Sequence, residues 1–417
     1  MTFCGGLAQR DAEVFIPQVG STPSLGALRT AKGIWLEDTQ GNKFIDLHGN
    51  SCHHIGHGHP RLVSAIKQQI DTLGFAPRRF TNESSVLLGE KLTRRFWDGD
   101  SRLLLATGGS DAIEIALRLS RATTRRSGII AINGSYHGHG FASLALSNAV
   151  LDQRLGSQLP DIHHVTPYWH KEAGGADRML ADIERIFSTA PDTVACFIAE
   201  PMRSNCITAP PYLWPEVSRL CKRAGAKLIF DEIPSGLGKT GRFFAHEHYD
   251  VRPDVVVLGK ALGGGILPIA AVLAHKDMAV APELTLGHYT HEKNPVISRA
   301  ALTTIEIIED KRLIEQAERL GQYTENYLRD RLKSQPLSPL GGVRGLGLML
   351  ALTLQPGKLP IGISSEDLVK LAMQKGVSTT TKDAMAIGFS PPLVISDQEI
   401  RLAIDRIVEA AATQGPP

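Results

Sequence analysis

The chain has 417 residues, of which 42% are hydrophobic and 21% are charged, and these proportions exclude global disorder. At roughly 150 residues per domain, this length predicts two or three domains. Forty-five Lys and Arg residues against 43 Asp and Glu residues give a formal charge of +2, which argues against a protein that binds nucleic acid or a membrane surface.

Three further features of the sequence bear on where in the cell the protein is located. The longest uncharged apolar stretch, 261–274, is interrupted by three glycines and a proline, so we expect no membrane span. The first fifteen residues lack a basic start followed by an apolar core, and we expect no secretory signal. The five cysteines are widely spaced and form no CxxC motif, which favours a cytoplasmic location and predicts neither disulfides nor a metal site.

In chain order, residues 33–46 first predict a β-hairpin with its turn at 40–42. Residues 101–273 then alternate short apolar runs with segments of helical spacing, an order that predicts a mostly parallel sheet covered by helices. The predicted strands of this sheet are 102–106, 128–132, 193–199, 226–230, 254–258 and 270–274. The remaining predicted elements are a long helix at 295–333, a strand at 345–354, a helix at 366–374, a short strand at 386–389 and a final helix at 397–411.

These elements predict an α/β fold in which a mostly parallel central sheet carries helices on both faces, beside a smaller α+β domain. We expect the large domain to comprise residues 61–294 and the small C-terminal domain residues 295–417. The N-terminal segment, 1–60, is predicted to pack with the small domain.

The residues that follow each predicted strand are the site candidates, because ligands of open parallel sheets bind beyond the carboxyl ends of the strands. Gly109 and Ser110 follow the first strand and open a helix, where free N–H groups form a seat for an anion. The alternative is that they only cap the helix. Tyr136, between glycines after the next strand, has the shape to cover a flat ligand, with ordinary packing as its alternative.

Two charged residues complete this set. Asp231 ends a buried strand, where a carboxylate either holds a cationic ring nitrogen or forms a structural salt bridge. Lys260 precedes a glycine triplet after another buried strand, and burial prepares an amine for attack on a carbonyl, unless the lysine extends its ammonium group to solvent. An anion seat, a ring cover, a carboxylate and a lysine together meet the requirements of pyridoxal 5'-phosphate.

The segment 228–272, LIFDEIPSGLGKTGRFFAHEHYDVRPDVVVLGKALGGGILPIAAV, resembles the class III aminotransferases, which are fold-type I pyridoxal-phosphate enzymes. The resemblance covers nearly the whole chain. It implies that the cofactor forms a Schiff base with one lysine and contacts a set of residues around it. These are Lys260 for the Schiff base, Asp231 for the pyridine nitrogen, Ile233 and Tyr136 for the two ring faces, His137 as a further contact, and Gly109 and Ser110 for the phosphate.

The resemblance also implies how subunits assemble. Thr290 lies where the family has a threonine that reaches the phosphate of the neighbouring subunit. It therefore implies a homodimer with composite active sites and leaves open whether dimers pair into tetramers.

The chain departs from the family pattern at one cofactor contact and at two positions that serve a second substrate. Pro234 stands where the family usually has a glutamine that binds the cofactor's phenolic oxygen. Gly388 replaces the arginine that binds a substrate carboxylate in many family transaminases, and Asn205 replaces the glutamate that neutralises this arginine. Without that cation an α-keto acid loses its anchor, which favours an enzyme that eliminates ammonia from one small, anionic amine.

Four residues are candidates for substrate binding. Arg203 adds a fixed charge suited to a tetrahedral oxyanion, and Lys293 adds basic character beside Thr290, with salt bridging as the alternative for both. Asn205 belongs to the altered switch. His53 either lines the substrate entrance or packs in the core.

The motifs GHYTHEKNP and DEIPSGLGKTG make the chain most similar, within the family, to the (R)-1-hydroxy-2-aminoethylphosphonate ammonia-lyases. This resemblance implies an ammonia-lyase that acts by Schiff-base formation, proton abstraction and β-elimination. The alternatives are an ω-aminotransferase that binds its keto acid through another cation and a catalytically silent relative.

Overall fold

The N-terminal part of the chain forms one helix and an antiparallel three-stranded meander. The computed structural model describes residues 6–22, 24–147, 152, 154, 159–335, 338–358 and 364–412. The hairpin predicted from sequence is present, and Asp38 closes its turn by accepting hydrogen bonds of 2.8 Å from the N–H groups of Gln40 and Asn42. The elements are α1 (Gly6–Val14), β1 (Leu28–Lys32), β2 (Trp35–Asp38) and β3 (Lys43–Asp46).

A seven-stranded sheet organises the central part of the chain. In spatial order its strands are β4 (Ser101–Ala106), β10 (Ala270–His275), β9 (Val255–Leu258), β8 (Lys227–Asp231), β7 (Val194–Ala199), β5 (Gly128–Ile132) and β6 (Ile162–Val165). Strand β10 is antiparallel to both neighbours and the other pairs are parallel. Strand β6 was missed from sequence because its residues, IHHV, lack the continuous apolar run of a buried strand.

Helices cover this sheet. They are α2 (Pro60–Leu73), α3 (Glu83–Arg95), α4 (Gly109–Thr124), α5 (Phe141–Ser147), α6 (Gly175–Thr189), α7 (Leu213–Ala224) and α8 (Pro295–Asp310). The apolar face of α4, which includes Ile113 and Ala116, is buried against residues of β7, β8, β9 and β10. Each fully buried Leu or Ile contributes about 1.5–3 kcal/mol, so this contact fixes where α4 begins relative to the strand ends.

The C-terminal part of the chain alternates helices with short strands. Its elements are α9 (Leu313–Lys333), β11 (Leu340–Leu346), β12 (Met349–Leu354), α10 (Ser365–Gln374), β13 (Val377–Ser378), β14 (Thr381–Asp383), β15 (Ala386–Phe389) and α11 (Asp397–Ala412). They contribute to two four-stranded sheets, ordered β1-β2-β3-β13 and β11-β12-β15-β14.

Two predicted elements were wrong in extent. The single helix expected at 295–333 is two helices, because Arg312 adopts a left-handed φ of 52° between α8 and α9. The single strand expected at 345–354 is the end of β11, a turn and β12. Gly345 and Gly347, with φ values of 121° and 54°, reverse the chain there.

The chain divides into two compact units, one formed by Met1–His59 with Glu318–Pro417 and the other by Pro60–Ala317. The central unit ends at Ala317, later than the boundary that the sequence predicted at 294/295. It ends later because α8 packs on α2, on α3 and on the turn that begins at Lys260. The three-part domain division stays a prediction. None of the described helices combines the length and apolar character needed to cross a membrane.

Candidate active site

The candidate residues collect at one edge of the seven-stranded sheet. Strands β5, β7, β8 and β9 are parallel neighbours, so the residues that follow them emerge on the same side. Strand β4 also points this way, since β10 runs antiparallel to both β4 and β9. The edge therefore carries His137, Glu200, Asp231, Lys260 and the start of α4.

Asp231 is buried, with 2% of its surface exposed, and both of its carboxylate oxygens have partners. Its Oδ2 lies 2.8 Å from Nδ1 of His137, and its Oδ1 accepts a hydrogen bond of 3.1 Å from the N–H group of Ile233. Nε2 of His137 is buried and has no hydrogen-bond partner within the described residues. These two hydrogen bonds satisfy both oxygens of the buried carboxylate and fix its position at the strand end.

Glu232, the next residue, has a different environment. Its carboxylate accepts hydrogen bonds from the N–H groups of Ala245, at 2.5 Å, and His246, at 2.9 Å. The imidazole Nδ1 of His246 lies 2.7 Å from the same carboxylate. Glu232 therefore holds the segment that contains Ala245 and His246, whereas Asp231 lies at the strand edge beside His137.

Lys260 begins a short 3-10 turn, Lys260–Gly263, immediately beyond β9. Its φ of 43° is a left-handed conformation, which costs a non-glycine residue about 1–3 kcal/mol and is typical of functional sites. The preceding residue, Gly259, makes room for Ile233, whose Cγ2 would lie 3.3 Å from a Cβ built at position 259. The side chain of Ile233 thus packs directly against the turn that presents Lys260.

Ile233 also connects this turn to the start of α4. A Cβ built on Gly109 would lie 2.9 Å from Cδ1 of Ile233, so position 109 has no room for a side chain. The helix has Gly108 as its N-cap residue with no side-chain cap, so Gly-Gly-Ser does not act as a conventional capping group. The first N–H groups of the helix instead point to the strand edge, as an anion seat requires.

The segment 134–140 closes over this helix start. The N–H group of His139 donates a hydrogen bond of 3.0 Å to Oγ of Ser110. Gly138 has a φ of 125°, and a Cβ there would lie 2.4 Å from that same oxygen. Tyr136, in the same segment, is 49% exposed, and its ring meets His139 edge-on. Burial of the phenol and the charge of Asp231 raise the pKa of Tyr136.

Arg203 lies in the loop after β7 and is held by three groups. Its Nη2 donates a hydrogen bond of 2.7 Å to the carbonyl of Gly134, and its guanidinium carbon lies 3.7 Å from the ring centroid of Trp169. Its Nε is 3.9 Å from Oε2 of Glu200. Burial raises the pKa of Glu200, and the nearby Arg203 opposes that rise. These contacts are of the kind that the salt-bridge alternative predicts for Arg203.

The other predicted substrate and subunit residues are distributed more widely. Asn205 is partly buried in the same loop as Arg203, whereas the side chains of Thr290 and Lys293 are exposed. The carbonyl of Lys293 accepts hydrogen bonds from Asn82 Nδ2 and Ser85 Oγ, so its backbone is fixed while its ammonium group faces solvent. His53 is buried in the other compact unit, with 1% exposure.

Gly388, where the family has an arginine, lies on β15 between β12 and β14. A Cβ built there would lie 3.0 Å from Cε of Lys382, which belongs to β14. The side chain of Lys382 therefore passes close to the position that the Cβ of residue 388 would occupy. A positive side chain from the neighbouring strand lies beside the glycine.

Two residues of this edge were not predicted from sequence. Glu200 follows β7 and is found by the same strand-end rule that selected Asp231 and Lys260. Trp169 follows β6, and no signal pointed to it because β6 itself was missed.

A model of the family described as Aminotransferase class-III matches residues 17–411. The chain belongs to the class III aminotransferase family. It is 31% identical to an (R)-1-hydroxy-2-aminoethylphosphonate ammonia-lyase from Vibrio splendidus, over 97% of this chain and 90% of that protein. It is 32% identical to an acetylornithine aminotransferase from Mycobacterium leprae, over 94% of this chain and 92% of that protein.

Solved structures agree with this assignment. An aminotransferase from Bacillus anthracis superposes with a TM-score of 0.87 at 26% identity, covering 97% of both chains. The fold is therefore the fold-type I pyridoxal-phosphate transferase fold, and the protein is a pyridoxal-phosphate enzyme. Members of this family are typically dimers that act on small-molecule amines.

Proposed function

We propose that this enzyme is an ammonia-lyase that converts 1-hydroxy-2-aminoethylphosphonate to phosphonoacetaldehyde and ammonia. The similarity to the ammonia-lyase of Vibrio splendidus supports this substrate. The observation that carries the proposal is Gly388, because the arginine that would hold a keto-acid carboxylate is absent. A lyase needs no keto acid and therefore no such anchor.

The strand edge fits pyridoxal 5'-phosphate by three observations. The glycine positions 109 and 138 allow a close backbone approach that a Cβ would block. Nε2 of His137 is a buried polar atom that still has hydrogen-bonding capacity. Lys260 and Asp231 supply the amine and the carboxylate that this cofactor requires. When bound, pyridoxal phosphate supplies an electron sink for negative charge that develops on the substrate carbon.

We assign the cofactor contacts as follows. Lys260 would bind its aldehyde carbon, and Asp231, fixed by His137, would contact its pyridine nitrogen. Ile233 and Tyr136 would cover the ring, while Gly109 and Ser110 would bind the phosphate through the start of α4. Thr290 contributes to the phosphate site of the partner subunit, which makes the enzyme a homodimer with composite sites.

Proton movement falls to Lys260. Its amine removes the proton from the substrate carbon that bears nitrogen, and it returns that proton to the hydroxyl group on the adjacent carbon, which leaves as water. Water then adds to the unsaturated nitrogen product, releasing the aldehyde and ammonia. One water leaves and one enters, so the net change is loss of ammonia with no oxidant or second substrate.

The second candidate is an ω-aminotransferase that transfers an amino group from a small amine to an α-keto acid. The similar identity to the acetylornithine aminotransferase of Mycobacterium leprae favours it, as does the presence of Lys382 beside Gly388. For either activity we propose a cytoplasmic location, which the five widely spaced cysteines of the sequence favour.

The two candidates differ in their need for a keto acid. The holoenzyme is incubated with each enantiomer of 1-hydroxy-2-aminoethylphosphonate alone, and ammonia is measured over time. We expect ammonia to accumulate well beyond one equivalent per subunit without any keto acid. 2-Aminoethylphosphonate, which lacks the leaving hydroxyl, and the folded Lys260→Ala variant are the controls that release none. Turnover that requires pyruvate or 2-oxoglutarate would establish the aminotransferase instead.

A further inference from the structure

A second cluster of chemically capable side chains lies in the other compact unit, within residues 46–57. Asp46 ends β3 and a short turn follows at 49–51. His53 and His57 lie two and six residues beyond the end of this turn. The cofactor assignment uses none of the three side chains. Sequence reasoning predicted no metal site, because it looked for paired cysteines and considered only His53 of this group.

The three side chains direct one donor atom each to a common point. Oδ2 of Asp46 lies 2.8 Å from Nε2 of His57 and 3.7 Å from Nε2 of His53. The three atoms all lie within 4.8 Å of one another. Ligands around a tetrahedral zinc ion, at 2.0–2.1 Å from the metal, stand about 3.3 Å apart. The observed spacings bracket that value, so small side-chain rotations bring all three atoms to bonding distance.

The surrounding backbone holds this arrangement in place. Oδ1 of Asp46 accepts hydrogen bonds from the N–H groups of His48, at 3.0 Å, and Gly49, at 2.9 Å. The carboxylate is therefore oriented with Oδ2 toward the imidazoles, as outer contacts orient a metal ligand. Gly49 has a φ of 45°, and a Cβ there would lie 2.4 Å from the ring of His53. The ring of His53 packs against this glycine.

Burial and charge match a cation. Asp46 and His53 are 3% and 1% exposed, while the side chain of His57 is 24% exposed and offers an entry path. Burial would raise the pKa of Asp46, but the hydrogen bond from His57, the charge of His53 and two backbone N–H groups lower this pKa to about 2. One carboxylate and two imidazoles form a donor set preferred by zinc and related ions.

We propose that Asp46 Oδ2, His53 Nε2 and His57 Nε2 bind a divalent transition-metal ion of the zinc class. Solvent supplies the fourth ligand through the exposed side of His57. The ion replaces the imidazole protons that otherwise face Asp46, and it fixes the loop 47–57 to the end of β3.

The holoenzyme, freed of metal with a chelator and then dialysed, is titrated with Zn²⁺ by calorimetry. We expect one ion per chain. His53→Asn should weaken binding at least tenfold, as loss of even an outer contact often does. His59→Asn, which removes a histidine of the same segment that is not a ligand, should leave the affinity unchanged. Circular dichroism establishes that each variant is folded, and Asp46→Asn replaces His53→Asn if the latter is not.

Anomalous diffraction from Zn²⁺-soaked holoenzyme crystals gives a measurement that needs no variant. A peak within 2.3 Å of all three donor atoms supports the site, with the approximate distances expected for zinc ligation. Absence of that peak, or binding that the His53→Asn and His59→Asn variants weaken equally, overturns the proposal and leaves a hydrogen-bonded cluster. Neither result depends on whether the enzyme is a lyase or an aminotransferase.

Discussion

Each buried acidic side chain at the strand edge has a cationic or neutral partner, and the identity of that partner separates structural from chemical roles. Backbone N–H groups and His246 contact the carboxylate of Glu232, so its oxygens are engaged in holding the local chain in place. Asp231 is paired through His137, which retains a ring nitrogen without a partner in the described part of the chain. A carboxylate held by two hydrogen bonds has a fixed orientation, which a contact with a pyridinium nitrogen requires.

Replacing Asp231 with asparagine tests this role. The amide keeps the shape but carries no charge, so we expect kcat for ammonia release to fall at least about 100-fold, or about 2.7 kcal/mol of barrier. Asp250→Asn is the matched control, because Asp250 is exposed and asparagine tolerates its left-handed φ of 51°. A loss of tenfold or less would mean that another group sets the protonation of the ring nitrogen.

Arg203 allows a direct choice between substrate binding and structure. The variant Arg203→Gln loses the contacts of the guanidinium with the protein in either case, so KM is the deciding measurement: if Arg203 binds the phosphonate, KM for the phosphonate substrate should rise about tenfold or more. If its contacts with Trp169, Gly134 and Glu200 are its whole function, the variant lowers Tm and leaves KM unchanged. We expect the rise in KM, measured beside Arg219→Gln, an exposed position on α7.

At the scale of elements, the site depends on where strands stop and how the following turns are built. The turn at Lys260 and the start of α4 are connected by one side chain, Ile233, which packs against both Gly259 and Gly109. The segment 134–140 adds a third element through the hydrogen bond from His139 to Ser110. The glycines matter because they allow these backbones to approach each other, and a side chain at any of them displaces a neighbour.

Gly138→Ala tests this approach. The new Cβ would meet Oγ of Ser110, so we expect the affinity for pyridoxal phosphate to fall at least tenfold, measured by cofactor titration of the apoenzyme. Gly134→Ala is the control, because its φ of 75° is also positive while its nearest contact, Trp169, is 3.9 Å away. Equal losses in both variants would show that strain alone, and not contact with Ser110, governs binding.

At the scale of the whole molecule, the exposed position of Thr290 is consistent with a residue that acts outside its own chain. The resemblance to the family implies dimers with composite sites. Within a single chain, an exposed threonine would have no obvious role at a cofactor phosphate. We therefore expect the phosphate site to be complete only in the dimer.

The activity of mixed dimers tests whether Thr290 serves the site of the partner subunit. In a dimer of one Lys260→Ala and one Thr290→Ala subunit, a composite arrangement leaves one site with an intact lysine and an intact threonine. We expect about half of the parent activity per dimer, above the activity of either variant alone. If Thr290 served its own subunit, no site in the mixed dimer would be intact, and activity would not exceed that of the Thr290→Ala homodimer at half its lysine content.

The sequence by itself determined the family, the cofactor and most strands of the central sheet, because buried parallel strands are continuous apolar runs and the glycine-rich turns after them are distinctive. The residues after those strands, including Asp231 and Lys260, followed from the same rule. The helix break at Arg312, the hairpin hidden in 345–354 and the polar strand β6 did not, since each depends on contacts or backbone angles that local composition does not reveal.

Only the tertiary structure decided which partner each charge received. Sequence named Asp231 as a site residue without its partner, and packing assigned His137 to Asp231 and His246 to Glu232. Sequence recorded the loss of an arginine at Gly388, while the structure placed Lys382 across that position. It also brought His57 beside Asp46 and His53, which are separated along the chain by a reversing turn. Hydrogen bonds and ligand geometry act over a few ångströms in space, and residue spacing along the chain does not fix those distances.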